Sequence, residues 1–339
     1  MNAVTETYLV IGSGSIARRH MMNIKELFPS VRVGCVSASG RALGVEEVGA
    51  DTIVYESIEL ALLDSPTLAI VASPAPFHVN QALRLIKAGV PVLVEKPLST
   101  SLIEFAAEGG ELLEHEDKIE VGYNLRFMPS ATKLKSLLNE RFLGNIYNVI
   151  VDVGQYLPHW RPASDYRVNV SARQALGGGV LLELSHELDY LKWLFGKFSS
   201  VYCVSRNSGA LEVDVEDQVD AILVNSHGLV TNLHMDFLQR TPTRTCKILG
   251  EHGTLIWDLL RNRIVLFKEK DAEIVLFDDP HYDRNQMYKD ELAHFSNVAS
   301  GLSQPLVGLK DALETLALID ALKRSSASQE IIKIEEYLS

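Results

Sequence analysis

Cysteine is scarce in this chain: Cys35, Cys203 and Cys246 are the only three, widely spaced and without a CxxC pair. That argues against a disulfide framework and a thiolate zinc site, and fits reduced cytosolic thiols; no metal site is expected. Basic runs are lacking too, and with a net charge of -12 a nucleic-acid-binding surface is not expected. No stretch reaches the length of about 18 consecutive apolar residues that a membrane span requires. The opening "MNAVTETYLVIGSGS" has no basic segment before its short apolar run, so no signal peptide is expected and the cytoplasm is the default location. What remains is a soluble globular chain, 47% hydrophobic and 22% charged, whose 339 residues suffice for two domains with their own cores.

Up to about residue 122, short apolar runs alternate with amphipathic segments. "TYLVIG", "VRVGCVS", "TLAIVAS", "VPVLVE" and "KIEVGY" read as strands apolar on both faces, the mark of a buried parallel sheet. "SIARRHMMNIKELF" has helical spacing with its basic face outward, and "PFHVNQALRLIKAG" ends on Gly89 as a stop. The fold class is α/β: a doubly wound Rossmann sheet over residues 1–122. At its first strand-to-helix turn, "GSGSIA" places Gly12, Gly14 and Ala17 in the GxGxxG/A spacing. Gly12 permits the turn, Gly14 lets a pyrophosphate approach, and the N–H groups around Ser13, Ser15 and Ile16 open a helix N-terminus toward it. A tight glycine turn without a ligand is the plainer reading of the same letters.

An absence decides the dinucleotide. NAD binding favours an acid at the end of the second strand, to hold the ribose 2′-OH, yet no acid occurs between Pro29 and Val45. Ser37, Ser39 and Arg41 stand there instead and suit a 2′-phosphate, so NADP is favoured over NAD. A solvated surface arginine is the alternative. Ser73, Pro74 and His78 follow the fourth strand, and Glu95 and Lys96 the fifth, at the edge where open α/β sheets bind ligands. The Glu95–Lys96 pair also suits a simple surface ion pair.

From residue 123 to 339 the pattern changes to alternating strand-like runs, such as "NIYNVIVDVGQYL", "DQVDAILVNS" and "TRTCKILGEHGTLIWDL". They predict an α+β domain with a large, mostly antiparallel open sheet, packed by "LLELSHELDYLKWLF", residues 288–300 and "GLKDALETLALIDALKRSS" as helices. The tail "SASQEIIKIEEYLS" is read as a simple end. "QYLPHWRPASDYRVNVSARQALGGG" is unusual for a connector. Trp160, Arg161, Tyr166, Arg167 and Arg173 can stack on a sugar or fork onto an anion; an ordered structural loop or subunit contact is the rival reading. Gly177–Gly179 permit the turn into the helix carrying His186.

Together, "IGSGSIARRH", "ASPAPFHVNQAL", "AGVPVLVEKPLS", "VGYNLRFMPS" and "GGGVLLELSHELDYLKWLFG" resemble the Gfo/Idh/MocA family over nearly the whole chain. The resemblance implies an NAD(P)-dependent oxidoreductase acting on a sugar, cyclitol or nucleotide sugar, with the second-domain sheet joining a homodimer or homotetramer. It places Lys96 beside the nicotinamide and the reacting hydroxyl, and His186 as the catalytic histidine. Pro97 follows a peptide that is often cis in relatives. Tyr123, Asn124 and Arg126 fall on the segment leading to the substrate domain, Arg126 toward the cofactor and the other two toward the substrate. Tyr288 falls where relatives often place a tyrosine near the substrate.

One departure stands out. Many relatives carry an aspartate four residues before the histidine, where this chain has Leu182. On a continuous helix, Glu183 and Asp189 lie about 60° to either side of His186, so either can serve its ring, and Glu183 is preferred over Asp189. His186 is then the base for the hydroxyl proton, and Lys96 stabilises the developing alkoxide. The arginine-rich loop favours an anionic substrate, such as the nucleotide sugars used for surface polysaccharides. Two rivals are an NAD(P)-binding sensor without turnover, and redox-assisted elimination or hydrolysis with tightly held cofactor.

Overall fold

The computed structural model describes residues 6–162, 164–269 and 273–335. The first five residues of the leader reading, Lys270 at the end of the strand reading "RIVLFKEK" and the last four residues of the tail lie outside them. The chain divides into two compact units: residues 1–124 with 284–316, and residues 125–283 with 317–339. The sequence reading assigned everything after residue 122 to the second domain. The segment 284–316 instead packs with the first unit, because the helix it carries has an apolar face that completes that unit's core.

The first unit begins with β1 (Thr7–Ile11), α1 (Ser15–Leu27), β2 (Arg32–Val36), α2 (Val45–Val48), β3 (Thr52–Tyr55), α3 (Ile58–Leu62), β4 (Leu68–Val71), α4 (His78–Lys87), β5 (Val92–Glu95), α5 (Leu102–Glu108) and β6 (Ile119–Gly122). Its strands pair in parallel in the order β3-β2-β1-β4-β5-β6, the dinucleotide-binding order with its switch point between β1 and β4. β1 and β4 are buried along their whole length, as expected for strands covered on both faces.

The second unit contains α6 (Pro129–Asn139), β7 (Ile146–Gly154), α7 (Val180–Glu183), α8 (Ser185–Phe195), β8 (Phe198–Arg206), β9 (Gln218–Asn225), β10 (Val230–Asp236), β11 (Thr243–Gly250), β12 (Gly253–Asp258), β13 (Arg263–Phe267) and β14 (Glu273–Asp278). Then α9 (Gln286–Ala299) belongs to the first unit, α10 (Leu309–Ser328) continues across the division, and β15 (Ile332–Lys333) closes the second unit's sheet. Among the described residues that sheet has nine strands in the order β14-β13-β12-β11-β7-β10-β9-β8-β15, with only the β7–β10 pair parallel. Side chains alternate by strand period: Val149, Val151 and Val153 of β7, with Val219 and Leu223 of β9, are buried on one face. Trp257 of β12 is fully buried on this face and its indole N–H donates to Ser130 Oγ at 2.8 Å. The opposite face leaves Tyr202, Val204 and Ile222 exposed.

In the first unit, α9 sends Leu292, Phe295 and Val298 into the same core as Ala17, Met21 and Ile24 of α1. The three cysteines, on β2, β8 and β11, are buried and free.

Candidate active site

The first unit presents its polar groups where the parallel strands end. Gly12 follows β1 with φ of +122°, and a Cβ there would stand 2.5 Å from the Ala72 carbonyl oxygen, so only glycine fits. At Gly14, the N-cap of α1, a Cβ would meet nothing within 4 Å, which leaves the approach to the helix N-terminus open. No acidic residue stands in that first turn. Unpaired N–H groups and a positive helix end thus form a cradle for a pyrophosphate at Ser13, Gly14, Ser15 and Ile16. The residues present fit a dinucleotide.

Beyond β2, Ser37 and Ser39 hydrogen-bond one another at 3.3 Å. Arg41 is exposed; its Nη2 donates to Ser13 Oγ at 3.3 Å, tying this turn to the glycine loop. An acid missed by the sequence argument also meets Arg41: Glu47, from α2, accepts from Nη1 at 2.9 Å and from Nη2. Those hydrogen bonds hold the Glu47 carboxyl down at about 2. The stretch free of acid in the sequence is therefore not free of acid in space.

Beyond β4, Ser73 donates to Gln81 Oε1 at 2.7 Å, and Pro74 opens a short 3-10 turn. His78, expected to touch the cofactor, is buried instead. Its Nδ1 lies 2.8 Å from the Pro97 carbonyl oxygen and its Nε2 2.7 Å from that of Ser73, so both ring nitrogens are engaged within the fold. Burial pushes its pKa down.

At the end of β5, Glu95 also turns inward. It is buried and accepts from His20 Nε2 at 2.7 Å, so the Glu95 carboxylate, read as cofactor-binding, is engaged inside the fold, and His20 turns in from the basic face of α1 while Arg18 stays exposed. Lys96 is half-buried at the strand edge, and the Lys96–Pro97 peptide is cis. Tyr123 and Asn124 are buried, which removes Tyr123 from an open substrate surface. Asn124 hydrogen-bonds the hydroxyl of Tyr288, whose pKa is raised chiefly by burial and then by the Glu95 charge. The Arg19 guanidinium lies 4.4 Å from the centre of the Tyr288 ring.

In the second unit the helix carrying His186 is not continuous. α7 ends at Glu183, Leu184 takes φ of -98° and ψ of 25°, and α8 starts at Ser185. Glu183 and His186, both half-buried, therefore sit on different helices, and the 60° estimate does not apply to them. A carboxylate absent from the sequence argument, Glu216, anchors the start of α7. It accepts from the Leu181 N–H at 3.0 Å, while its own backbone carbonyl accepts from Val180. A Cβ at Gly179 would meet that carboxylate at 2.6 Å, which accounts for the last of the three glycines.

The other acids on α8 are committed. Arg126 forks onto Asp189 through Nε at 2.9 Å and Nη2 at 2.6 Å, both side chains being almost wholly buried. Arg244 forks in the same way onto Glu187, at 2.7 and 3.0 Å. Arg126, expected toward a cofactor, is locked in the interior by this fork, and Asp189, read as the second candidate acid for His186, accepts from Arg126 with both oxygens. The Arg244–Glu187 pair went unseen in the sequence, since 57 residues separate its partners.

The loop before α7 ties itself down. Arg167 bonds Asp165 at 2.8 Å and pairs with Glu212 at 3.4 Å, Arg173 pairs with Asp214 at 3.5 Å, and the Tyr166 hydroxyl accepts from the Glu212 N–H. Trp160 packs edge-on against Phe237 and donates its indole N–H to Gln155. Arg161 is exposed, and Arg240 stacks 3.5 Å above the Tyr156 ring. Of the residues expected to recognise substrate here, Tyr166 and Arg167 bond within the loop, and the Arg167 side chain is exposed. Among the described residues no cluster of His, Cys, Asp and Glu could hold a metal, and no helix is long and apolar enough to cross a membrane.

A doubly wound unit with an open glycine cradle, joined in one chain to a mostly antiparallel nine-stranded unit, defines a class: two-domain oxidoreductases that bind a nicotinamide dinucleotide. Residues 7–123 match the oxidoreductase family with an NAD-binding Rossmann fold, and residues 131–256 match the GFO/IDH/MocA C-terminal domain. The chain belongs to the Gfo/Idh/MocA family. It is 27% identical over 343 residues to inositol 2-dehydrogenase 2 of Paenarthrobacter aurescens, covering 93% of this chain and 94% of that one. It is 24% identical over 222 residues to the rhizopine catabolism protein MocA of Rhizobium meliloti, covering 63% of this chain and 64% of that protein. The WlbA dehydrogenase of Bordetella pertussis, solved with NADH and UDP-GlcNAcA, shares the fold with a TM-score of 0.81 at 22% identity, over 97% of this chain and 98% of that one.

Proposed function

We propose that this chain oxidises or reduces a secondary alcohol carbon of a sugar, cyclitol or nucleotide sugar, with Lys96 and His186 as its catalytic residues. The observation that carries this reading is Lys96. It lies half-buried just beyond β5, on the same strand edge as the glycine cradle, in a chain that also presents His186 half-buried on the first turn of α8. Bound at the cradle, the nicotinamide supplies the hydride acceptor or donor. The Lys96 ammonium hydrogen-bonds the reacting oxygen and steadies alkoxide charge, while His186 takes or returns the hydroxyl proton. Glu183 orients the imidazole and offsets its charge when protonated.

The finer reading is NADP over NAD, through Ser37, Ser39 and Arg41, with Glu47 competing for the same guanidinium. For the substrate it is an anionic nucleotide sugar of the kind used for surface polysaccharides, met by Arg161 and Trp160. Two observations support the anionic reading: Arg161 is exposed, and a related fold was solved with UDP-GlcNAcA. The buried free cysteines suit action in the cytoplasm, and the open face of the second unit's sheet suits a homodimer or homotetramer. On that face, strand register lines Tyr202, Ile222, Asn232, Ile150, Lys247 and Ile256 into one row.

The test is a panel of inositols, aldoses, uronates and nucleotide sugars, assayed with both cofactors for the wild type and for Lys96→Ala and His186→Ala. Each variant is expected to lose about a hundredfold or more in turnover while still quenching with the reduced cofactor. Near-normal turnover in both removes the assignment.

A further inference from the structure

On the face of the second unit's sheet that leaves Tyr202 and Ile222 exposed, one histidine is held between two carboxylates. In register, His234 of β10 lies beside Asp220 of β9 on one side and Asp152 of β7 on the other. Its Nδ1 is 2.6 Å from Asp220 Oδ1, and its Nε2 is 2.9 Å from Oδ2 of Asp236, two residues along its own strand. A neutral imidazole has a single N–H, so one of these carboxylates would then face a bare lone pair. Only the imidazolium satisfies both.

Asp236 is buried and collects further donors. Its Oδ1 accepts from the backbone N–H groups of Leu238 at 2.6 Å and Gln239 at 2.7 Å, and its Oδ2 also accepts from Gln239 Nε2 at 2.7 Å. With His234 these make four donors on one carboxyl, which leaves no place for a proton on it. Against burial, the same hydrogen bonds hold its pKa below the ordinary carboxyl value. Gln239 also donates to Asp152 Oδ1 at 2.9 Å and accepts from the Thr243 hydroxyl at 2.6 Å. Gly154, the last residue of β7, makes the space: a Cβ there would stand 2.5 Å from both Asp236 Oδ2 and Gln239 Nε2. Further out, Arg206 of β8 donates to Gln218, which donates to Asp220 Oδ2, and Lys247 of β11 stands in the neighbouring row beside Ile150.

This network fixes the turn from β10 to β11, and the turn is a shelf for the segment that follows β7. The Asp236 carbonyl accepts from the Gln155 N–H at 3.4 Å, and the Phe237 carbonyl from the Leu157 N–H at 2.9 Å. Trp160 packs on Phe237 with ring centres 5.2 Å apart, and Arg240 covers the Tyr156 ring.

We propose that His234 is held as an imidazolium bridging Asp220 and Asp236, and acts as the positioning residue for the segment Gln155–Arg161. With the proton in place, Asp236 keeps its grip on the turn and the turn carries Phe237 under Trp160. Once the proton is lost, a lone pair faces one carboxylate, the bridge opens and the shelf loosens. On the reading under Proposed function, which gives Trp160 and Arg161 to the substrate, that opening raises KM and spares kcat.

The sign of the pH effect follows from the pairing. The hydrogen bond to Asp236 and then that to Asp220, against partial burial, lift the imidazole from its ordinary 6.5 to about 9. The bridge's contribution to stability is therefore complete below pH 6.5 and is lost as the pH rises through about 9.

The test uses the full-length protein labelled with 15N-histidine and 15N-tryptophan. The His234 ring, assigned with His234→Gln, should carry protons on both nitrogens at neutral pH and titrate near pH 9. The Trp160 indole N–H, which donates to the Gln155 carbonyl and is assigned with Trp160→Phe, should shift with the same midpoint and lose that step in His234→Gln. Gly154→Ala, which crowds Asp236 and leaves the histidine in place, should lower the His234 midpoint by about one pH unit and carry the Trp160 step down with it. A His234 ring that is neutral at neutral pH overturns the bridge. A Trp160 resonance that ignores the His234 titration, in wild type or in Gly154→Ala, overturns the positioning role. None of these readouts needs a substrate, so a failed substrate panel counts against the proposed reaction alone.

Discussion

At the strand edge of the first unit, the groups that can meet a ligand are backbone amides and short side chains. Around His186 in the second unit they are long charged side chains already paired with one another. The cradle at Gly12 and Gly14 needs open space and unpaired N–H groups, which a turn and a helix start provide at little cost. The His186 region needs carboxylates held still in a low-dielectric interior, and Arg126 and Arg244 do the holding. The two arginine forks, onto Asp189 and Glu187, give α8 a rigid frame beside His186. On the reaction proposed above, a cofactor half can thus be made of backbone, whereas a proton-transfer half must first neutralise its own charges.

Three experiments press on this contrast. The largest effect is expected from Arg126→Ala, which strands the Asp189 carboxylate in the interior. Urea unfolding should show a loss of about 3–5 kcal/mol; a loss under about 1 kcal/mol would mean that the fork frames nothing. Next comes Glu183→Gln, which should lower turnover by about tenfold or more with an unchanged unfolding midpoint, as expected for an acid that serves a base. If Asp189→Asn gives the larger loss in turnover without loss of stability, the serving acid is Asp189. The smallest effect lies at the cofactor edge. Arg41→Ala should weaken NADPH relative to NADH by about tenfold, and Glu47→Gln should shift the preference a few-fold the other way. Binding titrations in which both variants keep the wild-type ratio would take Arg41 out of dinucleotide choice.

What could be read from the letters follows the same division. The Rossmann sheet was legible because "TYLVIG" and "TLAIVAS" are apolar on both faces, and because a glycine fingerprint is local. The open second sheet was legible from strand alternation. Long-range pairing was not. Arg126 meets Asp189 across 63 positions, and Glu47 returns to Arg41 from a helix beyond the stretch that was searched for acids. The break at Leu184 has neither glycine nor proline to announce it, and the Glu216 carboxylate that anchors the start of α7 comes from elsewhere in the chain. His20 was hidden in "ARRH", where two arginines suggested an outward face and only the third basic residue turns in. The placement of α9 with the first unit was illegible for a topological reason, since the chain returns there after more than 150 residues in the other unit.

The three cysteines have a practical consequence. Cys35 lies under the glycine loop, its thiol donating to the Gly12 carbonyl at 3.3 Å, and burial pushes its pKa up to about 12. Cys203 is raised to about 12 and Cys246 higher still, again by burial. Such thiols are silent toward alkylating reagents until the strand around them opens. The native chain therefore carries its own clocks, one in the first unit and two in the second, on β8 near one edge of the sheet and on β11 nearer its middle. The order in which they react reports which part of the molecule breathes first, with no probe added.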